Sequence, residues 1–185
     1  SKNGNSLIPF PNKKYNIIYA DPAWYFNSWS KKGEERSATR HYSCMSISDI
    51  CDLPIENITD KDCILFLWVI DPMLPEAFEL IKSWDFKYKT VGFTWVKENK
   101  ISPSYFTGLG YWTRANPEMC LLATKGKPKR ISKSVRQLVN SKIQKHSKKP
   151  DCVRDRIVEL CGNLPRIELF ARQKTDGWDY WGNEL

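Results

Sequence analysis

Short apolar runs alternate along this chain with segments whose apolar residues recur at helical spacing. Residues 15–20 and 63–70 have the length and composition typical of strands buried on both faces of a sheet. Residues 74–84 instead repeat apolar side chains every three or four positions, as one face of a helix does. The predicted strands are residues 15–20, 63–70, 88–96, 118–124 and 166–171, with a short extended piece at 134–139, and the predicted helices are residues 46–53, 74–84 and 150–160. This order predicts an α/β fold with a mixed or largely parallel central sheet, helices on both faces, and ligands at the carboxyl ends of the strands.

The ends of two predicted helices carry recognisable signals. Ser46 is expected to cap the helix at 46–53, with Asp49 three residues later in the capping-box position. Pro150 lies near the start of the last helix, and Gly162 follows its end. Residues 97–115 have no periodicity and form a predicted loop that is long enough to suggest a functional role.

Length and composition narrow the class of protein. The chain has 185 residues, so we expect residues 1–185 to form a single domain. Its longest apolar run, at 63–70, is far shorter than the roughly 20 residues of a membrane-spanning helix. Residues 1–9 do not resemble a secretory signal. We therefore expect a cytoplasmic protein without membrane contacts, and a hydrophobic content of 41% argues against a disordered chain.

The cysteines favour neither disulfides nor a metal site. The chain has six cysteines, no two of which lie two to four residues apart, and only His41 and His146 are available to join them. We expect reduced structural thiols and no metal ion.

The positive charge is concentrated in one segment. The net charge is +8, but ten lysines and arginines and no acidic residue lie between Glu118 and Asp151. Such a segment favours a polyanionic partner, with nucleic acid as the first candidate. A solvated loop kept soluble by lysines is the alternative, and Gly126 and Pro128 argue against an amphipathic membrane helix.

The sharpest local feature follows the first predicted strand, where the sequence reads Asp21-Pro22-Ala23-Trp24. It offers a carboxylate, a backbone carbonyl next to a proline ring and an aromatic surface at one point of the sheet edge. These groups suit a planar base with an exocyclic amino group, whose two hydrogens the carboxylate and the carbonyl would accept. A simple Asp-Pro turn over a packed aromatic ring is the alternative.

Further segments turn this motif into a family resemblance. The chain resembles, over nearly its whole length, the N6-adenine methyltransferases of the Asp-Pro-Pro-Trp type, and is most similar to their short phage and bacterial members. The matching segments, in order, are Tyr19 to Trp24, His41-Tyr42, Leu65 to Trp68, Trp95 to Lys97, Gly110 to Arg114, Glu118 to Leu121, His146 to Pro150, Arg166 to Arg172, Gly177-Trp178 and Trp181 to Glu184. The resemblance implies a Rossmann-like methyltransferase fold with S-adenosylmethionine as the cofactor.

The resemblance also implies roles for individual residues. Asp21, Pro22, Ala23 and Trp24 would hold the target amino group and stack on the adenine. The substrate pocket would be lined by Tyr42, Trp112, Glu118 and Ser147. The cofactor would contact Asp21, Pro22, Lys149, Glu168, Phe170, Arg172, Asn183 and Glu184. A plain surface ion pair between Glu168 and Arg172 is the alternative for those two residues.

The expected reaction is direct methyl transfer to the amino nitrogen of a flipped or unpaired adenine. DNA is favoured over RNA by analogy with the phage-type members. Backbone phosphates would be bound by Lys125, Lys127, Lys129, Arg130, Lys133 and Lys145. With no separate target-recognition domain in 185 residues, we expect loose sequence specificity.

Three alternatives remain open from the sequence. They are an RNA adenosine methyltransferase, a catalytically silent nucleic-acid-binding partner, and a cytosine N4-methyltransferase. Ala23 departs from the family pattern, which has proline there, so the turn loses a stiffening ring; we expect activity to persist, at a level that this loss can lower. The resemblance leaves open whether the chain acts alone or as a homo- or heterodimer.

Overall fold

The computed structural model describes residues 8–24, 45–145 and 148–182. Within these residues seven strands hydrogen-bond into one sheet, numbered β1 to β7 along the chain. They span Tyr15–Ala20, Thr59–Val69, Lys87–Glu98, Glu118–Lys125, Leu138–Lys142, Arg166–Leu169 and Asp179–Trp181. The sheet order is β5-β3-β4-β2-β1-β6-β7, and it is built from both parallel and antiparallel pairs.

One strand runs against the others. β1 pairs in parallel with β2 and β6, β6 with β7, and β3 with β5, whereas β4 is antiparallel to both of its neighbours. The amino end of β4 therefore lies at the same sheet edge as the carboxyl ends of β1, β2 and β3. We call this edge the site edge and the other the far edge.

Helices cover both faces of the sheet. The described α-helices are α1 (Ile47–Cys51), α2 (Leu74–Ser83) and α3 (Cys152–Cys161). Successive residues of β1 alternate between two cores, because side chains along a strand point to opposite faces. Ile18 packs in the core that contains Leu80 of α2, and Ile17 packs in the core that contains Ile157 of α3. The expected mixed α/β fold with helices on both faces is confirmed.

Most predicted elements are present, with shifted ends. β2 begins at Thr59, four residues before the predicted start, because Thr59 already pairs with Tyr15 of β1. The extended piece predicted at 134–139 is found at Leu138–Lys142. The strand predicted at 166–171 is β6, and it ends at Leu169 because Phe170 has a φ of 60° and leaves the extended conformation. β7 has three residues, which is too short to show a sequence period.

The predicted helix signals are confirmed at α1 and α3. The Ser46 hydroxyl accepts a bond from the Asp49 backbone N–H at 3.0 Å, and the Asp49 carboxylate accepts one from the Ser46 N–H at 3.1 Å. Gly162 follows α3 with a φ of 98°. No helix of the described residues has the length and apolar character to cross a membrane.

The cysteines in the described part of the chain are free thiols. Cys63, Cys120 and Cys161 are buried, and burial raises the pKa of the Cys161 thiol to about 12. Cys51 and Cys152 are half-buried, and Cys44 lies outside the described residues. The buried thiols are therefore kept in their neutral form at physiological pH.

Replacing Ser46 with alanine should lower the free energy of unfolding by about 1 kcal/mol, because an N-terminal amide of α1 loses its acceptor. Ser48→Ala in the same helix is the matched control, since its residue lies inside the helix. Chemical denaturation of both variants measures the difference. Equal loss in the two variants would show that the capping box does not stabilise α1.

Candidate active site

Two carboxylates meet one lysine at the site edge. Asp21 directly follows β1 and Glu118 is the first residue of β4, so the two side chains flank the carboxyl end of β2. Lys149 Nζ lies 3.3 Å from Asp21 Oδ2 and 3.2 Å from Glu118 Oε2. The side chains of Lys149 and Glu118 are 11% and 12% exposed. A single ammonium group thus bridges two largely buried carboxylates.

A second lysine extends this group. Lys97 Nζ lies 2.7 Å from Glu118 Oε1 and also packs 5.2 Å from the centre of the Trp95 ring. Positive and negative charges therefore alternate through successive contacts, from Lys97 to Glu118, Lys149 and Asp21. We refer to these four residues as the charge chain. Alternation satisfies the carboxylates and limits the cost of burying them.

The pKa values of the two carboxylates in the charge chain shift in opposite directions. Burial would raise the pKa of Glu118, but Lys149 and Lys97 together lower it more, so the pKa lies below its ordinary value. Burial also raises the pKa of Asp21, and the attraction of Lys149 only partly offsets this effect. Asp21 is thus the carboxylate that more readily takes up a proton.

Aromatic side chains pack beneath the charged residues of the site. Lys149 Nζ lies 5.6 Å from the centre of the Trp68 ring, and Trp68 Nε1 donates to the Tyr19 hydroxyl at 2.7 Å. Trp24 Nε1 donates to the Trp68 carbonyl at 2.6 Å. Trp24, expected to stack on a base, is only 3% exposed and packs in the core with Ile18. In this structure its indole ties the end of β1 to the end of β2.

The other residues of the motif form a tight turn. The Pro22 carbonyl accepts a bond from the Trp24 backbone N–H at 2.9 Å, and Pro22 itself is buried. A carbonyl oxygen has two lone pairs, so one remains for a further donor. The turn points the Asp21 carboxylate toward Lys149.

A cleft lies beside Asp21, between β1, β6 and the start of α3. It is partly open to solvent. Its walls are formed by Tyr19, Asp21, Lys148, Lys149, Arg154, Glu168, Phe170, Arg172 and Gln173. Of the residues that the family resemblance assigns to the cofactor, Asp21, Lys149, Glu168, Phe170 and Arg172 all lie here.

Two features shape the end of the cleft. Phe170 is buried with a positive φ and meets Trp181 edge-on, with the ring centres 5.5 Å apart. Gly182 has no space for a side chain, because a Cβ there would lie 2.6 Å from the Ala171 carbonyl oxygen. The conformation of residues 170–171 thus depends on the glycine of the Trp181-Gly182 segment.

Glu168 is paired with a residue that the sequence did not suggest. Arg154 Nε and Nη2 donate to the two oxygens of Glu168 at 2.7 and 3.0 Å. The partner considered from the sequence was Arg172, which instead acts electrostatically on Asp21. The Glu168 pair is buried, not a surface ion pair.

One asparagine makes three of the hydrogen bonds that anchor the loop after β3. Asn116 Oδ1 accepts from the Lys97 N–H at 2.9 Å, and Asn116 Nδ2 donates to the carbonyls of Lys97 and Phe106. Trp112 lies earlier in this loop than Asn116, with a φ of 70° and an exposure of 94%. Asn116 therefore holds the backbone that carries Lys97, while Trp112 faces solvent.

The basic segment is divided between the two edges of the sheet. Lys125 ends β4 and lies at the far edge, roughly 23 Å from Glu118 at 3.3 Å per residue. The Lys127 backbone N–H donates to Asp62 near the start of β2, and Ile131, after Lys129 and Arg130, bonds to the carboxyl end of α3. Lys133 follows two residues later. Lys145, after β5, is on the site edge with Lys148 and Lys149.

Several expected site residues lie outside the described residues. They are Tyr42, Ser147, Asn183 and Glu184. Among the described residues, no group of three or more His, Cys, Asp or Glu side chains is arranged to hold a metal ion.

Sequence reasoning gave no role to Lys97, Trp68 or Arg154. Lys97 and Trp68 lie in segments that carried the family resemblance, so those segments were the available signal. Arg154 lies in none of them, and the sequence placed it only within the predicted helix at 150–160.

Lys97→Met should raise the pKa of Glu118, because the carboxylate loses one of its two cations. Because its pKa is lower in the folded state, Glu118 stabilises the fold at pH values above its unfolded pKa of about 4.3. This stabilisation is lost as the pH falls through the folded pKa. Acid unfolding of the variant should therefore begin at a higher pH. Carboxyl ¹³C NMR and acid titration measure both effects.

Lys100→Met, on the exposed loop after β3, is the matched control. An unchanged Glu118 pKa in Lys97→Met would contradict the charge chain.

Comparison with known proteins identifies the family of this chain. The MT-A70 family model matches residues 15–184. The chain is 36% identical to the type II methyltransferase M.MunI of a Mycoplasma species, over 95% of this chain and 79% of that protein. It is 26% identical to the human N(6)-adenosine-methyltransferase catalytic subunit METTL3, over 93% of this chain and 28% of that protein. It is also 26% identical to the N6-methyladenosine RNA methyltransferase MTA1 of Pyricularia oryzae, over 92% of this chain and 47% of that protein. The chain belongs to the MT-A70 methyltransferase family.

Proposed function

We propose that this protein transfers a methyl group from S-adenosylmethionine to the N6 amino group of adenine in nucleic acid, with DNA as the preferred substrate. The observation that carries the proposal is the position of Asp21. This carboxylate stands at the carboxyl end of β1, where it lines the cleft and forms the last member of the charge chain, and it is bound by Lys149.

Asp21 would accept a hydrogen bond from the target amino group. The nitrogen lone pair of adenine is delocalised into the ring, and an acceptor on the amino hydrogens helps to localise it for attack. The free lone pair of the Pro22 carbonyl would accept the second hydrogen. After transfer the nitrogen carries an extra proton, and the raised pKa of Asp21 suits it to take that proton.

Glu118 and Lys149 would set the electrostatics of the substrate side. Glu118 remains ionised through its two lysines and can accept a hydrogen bond from the base. Trp24 would then act by holding the ends of β1 and β2 together. Trp112, Tyr42 and Ser147 remain predicted substrate contacts.

The residues of the cleft fit the proposed cofactor. Lys149 and Arg172 offer cations for an amino-acid carboxylate, Glu168 offers acceptors for ribose hydroxyls, and Phe170 offers an apolar wall. When bound, S-adenosylmethionine supplies an activated methyl group on a sulfonium, so the reaction needs no metal. Asn183 and Glu184 remain predicted contacts.

DNA is the preferred substrate in this proposal. The 36% identity to a type II methyltransferase, against 26% to the two N6-adenosine enzymes, supports this order. The motif itself favours a catalytic chain over a silent partner, because Asp21 and the residues that bind it are present.

The sequence predicts a single domain, a possible dimer and a cytoplasmic location, and each remains a proposal. One sheet that extends from Tyr15 to Trp181 supports a single methyltransferase domain for residues 1–185. Exposed apolar side chains on the loop after β3, including Leu109, Tyr111 and Trp112, suit association into a homo- or heterodimer. Sedimentation of the free protein tests this association, and the cytoplasm remains the proposed location.

Asp21→Asn should reduce methyl transfer about a hundredfold or more, the size of effect seen when one preorganised electrostatic contact is removed. The assay uses labelled S-adenosylmethionine with DNA and RNA oligonucleotides, and mass spectrometry identifies the modified nucleoside. Because burial disfavours the Asp21 charge, the variant should unfold at no lower temperature than the wild type.

Asp71→Asn, at an exposed position after β2, is the matched control and should retain full activity. Equal transfer by Asp21→Asn would remove the proposed role of Asp21. Oligonucleotide binding without transfer by any protein would favour the silent partner, and N4-methylcytosine as the product would favour the cytosine alternative.

Phosphate contacts near the site should come from Lys145. The other predicted phosphate-binding residues belong to the part of the basic segment that starts with Lys125 at the far edge. Lys145→Gln should weaken oligonucleotide binding and reduce the salt slope of the binding constant by about 1. Lys127→Gln, at the far edge, should leave the slope unchanged. Equal effects of the two variants would show that nucleic acid also contacts the far edge.

A further inference from the structure

Arg154 occupies an unusual position for a cation. It lies in the first turn of α3, is 7% exposed, and forms part of the wall of the cleft. Its guanidinium donates to both oxygens of Glu168 and to Asp151 Oδ1 at 3.1 Å. The guanidinium carbon also lies 5.8 Å from the centre of the Tyr19 ring. All three of these partners therefore lie at or beside the cleft.

Fold stability does not account for this arginine. A cation near a helix N-terminus is opposed by the helix dipole. Buried ion pairs are often no more stabilising than apolar side chains of similar volume. The neighbours of Arg154 on the same helix, Val153 and Ile157, fill the core with apolar groups instead. A buried arginine in a binding cleft therefore suggests a functional role.

The contact of Arg154 with Glu168 defines that role. A carboxylate offers about four acceptor positions, and the bidentate pair uses two of them. The pair fixes the orientation of Glu168 and leaves the remaining lone pairs available to a ligand in the cleft. Burial raises the pKa of Glu168, Arg154 lowers it, and Asp21 and Asp151 raise it, so that the pKa lies above its ordinary value even with Arg154 in place. Lys148, Lys149 and Arg172 are the other cations that line the same cleft.

We propose that Arg154 is a positioning residue for the cofactor, acting through Glu168. It holds the Glu168 carboxylate ionised and oriented, so that its free lone pairs accept the hydroxyl groups of the cofactor ribose. The proposal rests on the proposed function, because it takes the cleft to be the cofactor site. It adds a residue of α3 to the cofactor side of the site.

The experiment measures binding of S-adenosylhomocysteine by calorimetry between pH 6 and pH 9, without an activity assay. Arg154→Met should bind at least tenfold more weakly than wild type at pH 7. Its affinity should recover as pH rises, because the unpaired Glu168 ionises only at higher pH. Wild type should show a much smaller pH dependence over this range.

Two further variants isolate the mechanism. In a Glu168→Gln background, Arg154→Met should cause little additional loss, since the residue through which Arg154 acts is already neutral. Arg154→Lys keeps the charge without the bidentate geometry and should bind with intermediate affinity, which keeps the test available if Arg154→Met fails to fold. Arg156→Met is the matched control, because Arg156 bonds the carbonyls of Arg136 and Leu138, away from the cleft.

The outcomes separate this inference from the proposed function. Wild-type affinity and pH profile in folded Arg154→Met and Arg154→Lys would overturn the positioning role alone. Additive losses in the double variant would also overturn it, because Arg154 would then act independently of Glu168. Failure of the wild type to bind S-adenosylhomocysteine would overturn the proposed function, and the inference with it.

Discussion

The bridge formed by Lys149 between Asp21 and Glu118 is the interaction on which the site depends. Two carboxylates buried close together repel each other, and without a cation one of them would take up a proton. Lys149 lies within hydrogen-bonding distance of both and joins the end of β1 to the start of β4 across β2. Lys97 adds a second cation on the far side of Glu118. The result is an ionised Glu118 and an Asp21 whose pKa is raised, two different acceptors in one site.

This arrangement requires the reversed direction of β4. Were β4 parallel to β2, Glu118 would lie at the far edge and Lys125 at the site edge. The antiparallel pairing instead places the acidic end of the strand beside Asp21 and sends the start of the basic segment to the far edge. One strand direction therefore determines both the acid pair and the position of the positive surface.

Two buried ion-pair groups stand on either side of the cleft. The charge chain lies on the proposed substrate side, and the pair of Arg154 with Glu168 lies on the proposed cofactor side. Buried charges are costly and contribute little to stability, which makes their concentration around one cleft characteristic of a functional site. The aromatic residues Tyr19 and Trp68 connect the two groups through a hydrogen bond and two cation–π contacts.

The sequence by itself determined the local features: the apolar strands β1 and β2, the capping box at Ser46, and the motif after β1 with its family resemblance. These depend on neighbouring residues and on periodicity, which are visible in one dimension. Only the tertiary structure decided that Lys149 reaches both Asp21 and Glu118, that Arg154 and not Arg172 pairs with Glu168, and that Trp24 packs into the core. These contacts join residues far apart in the chain, and they follow from strand order and direction, which local sequence patterns do not encode.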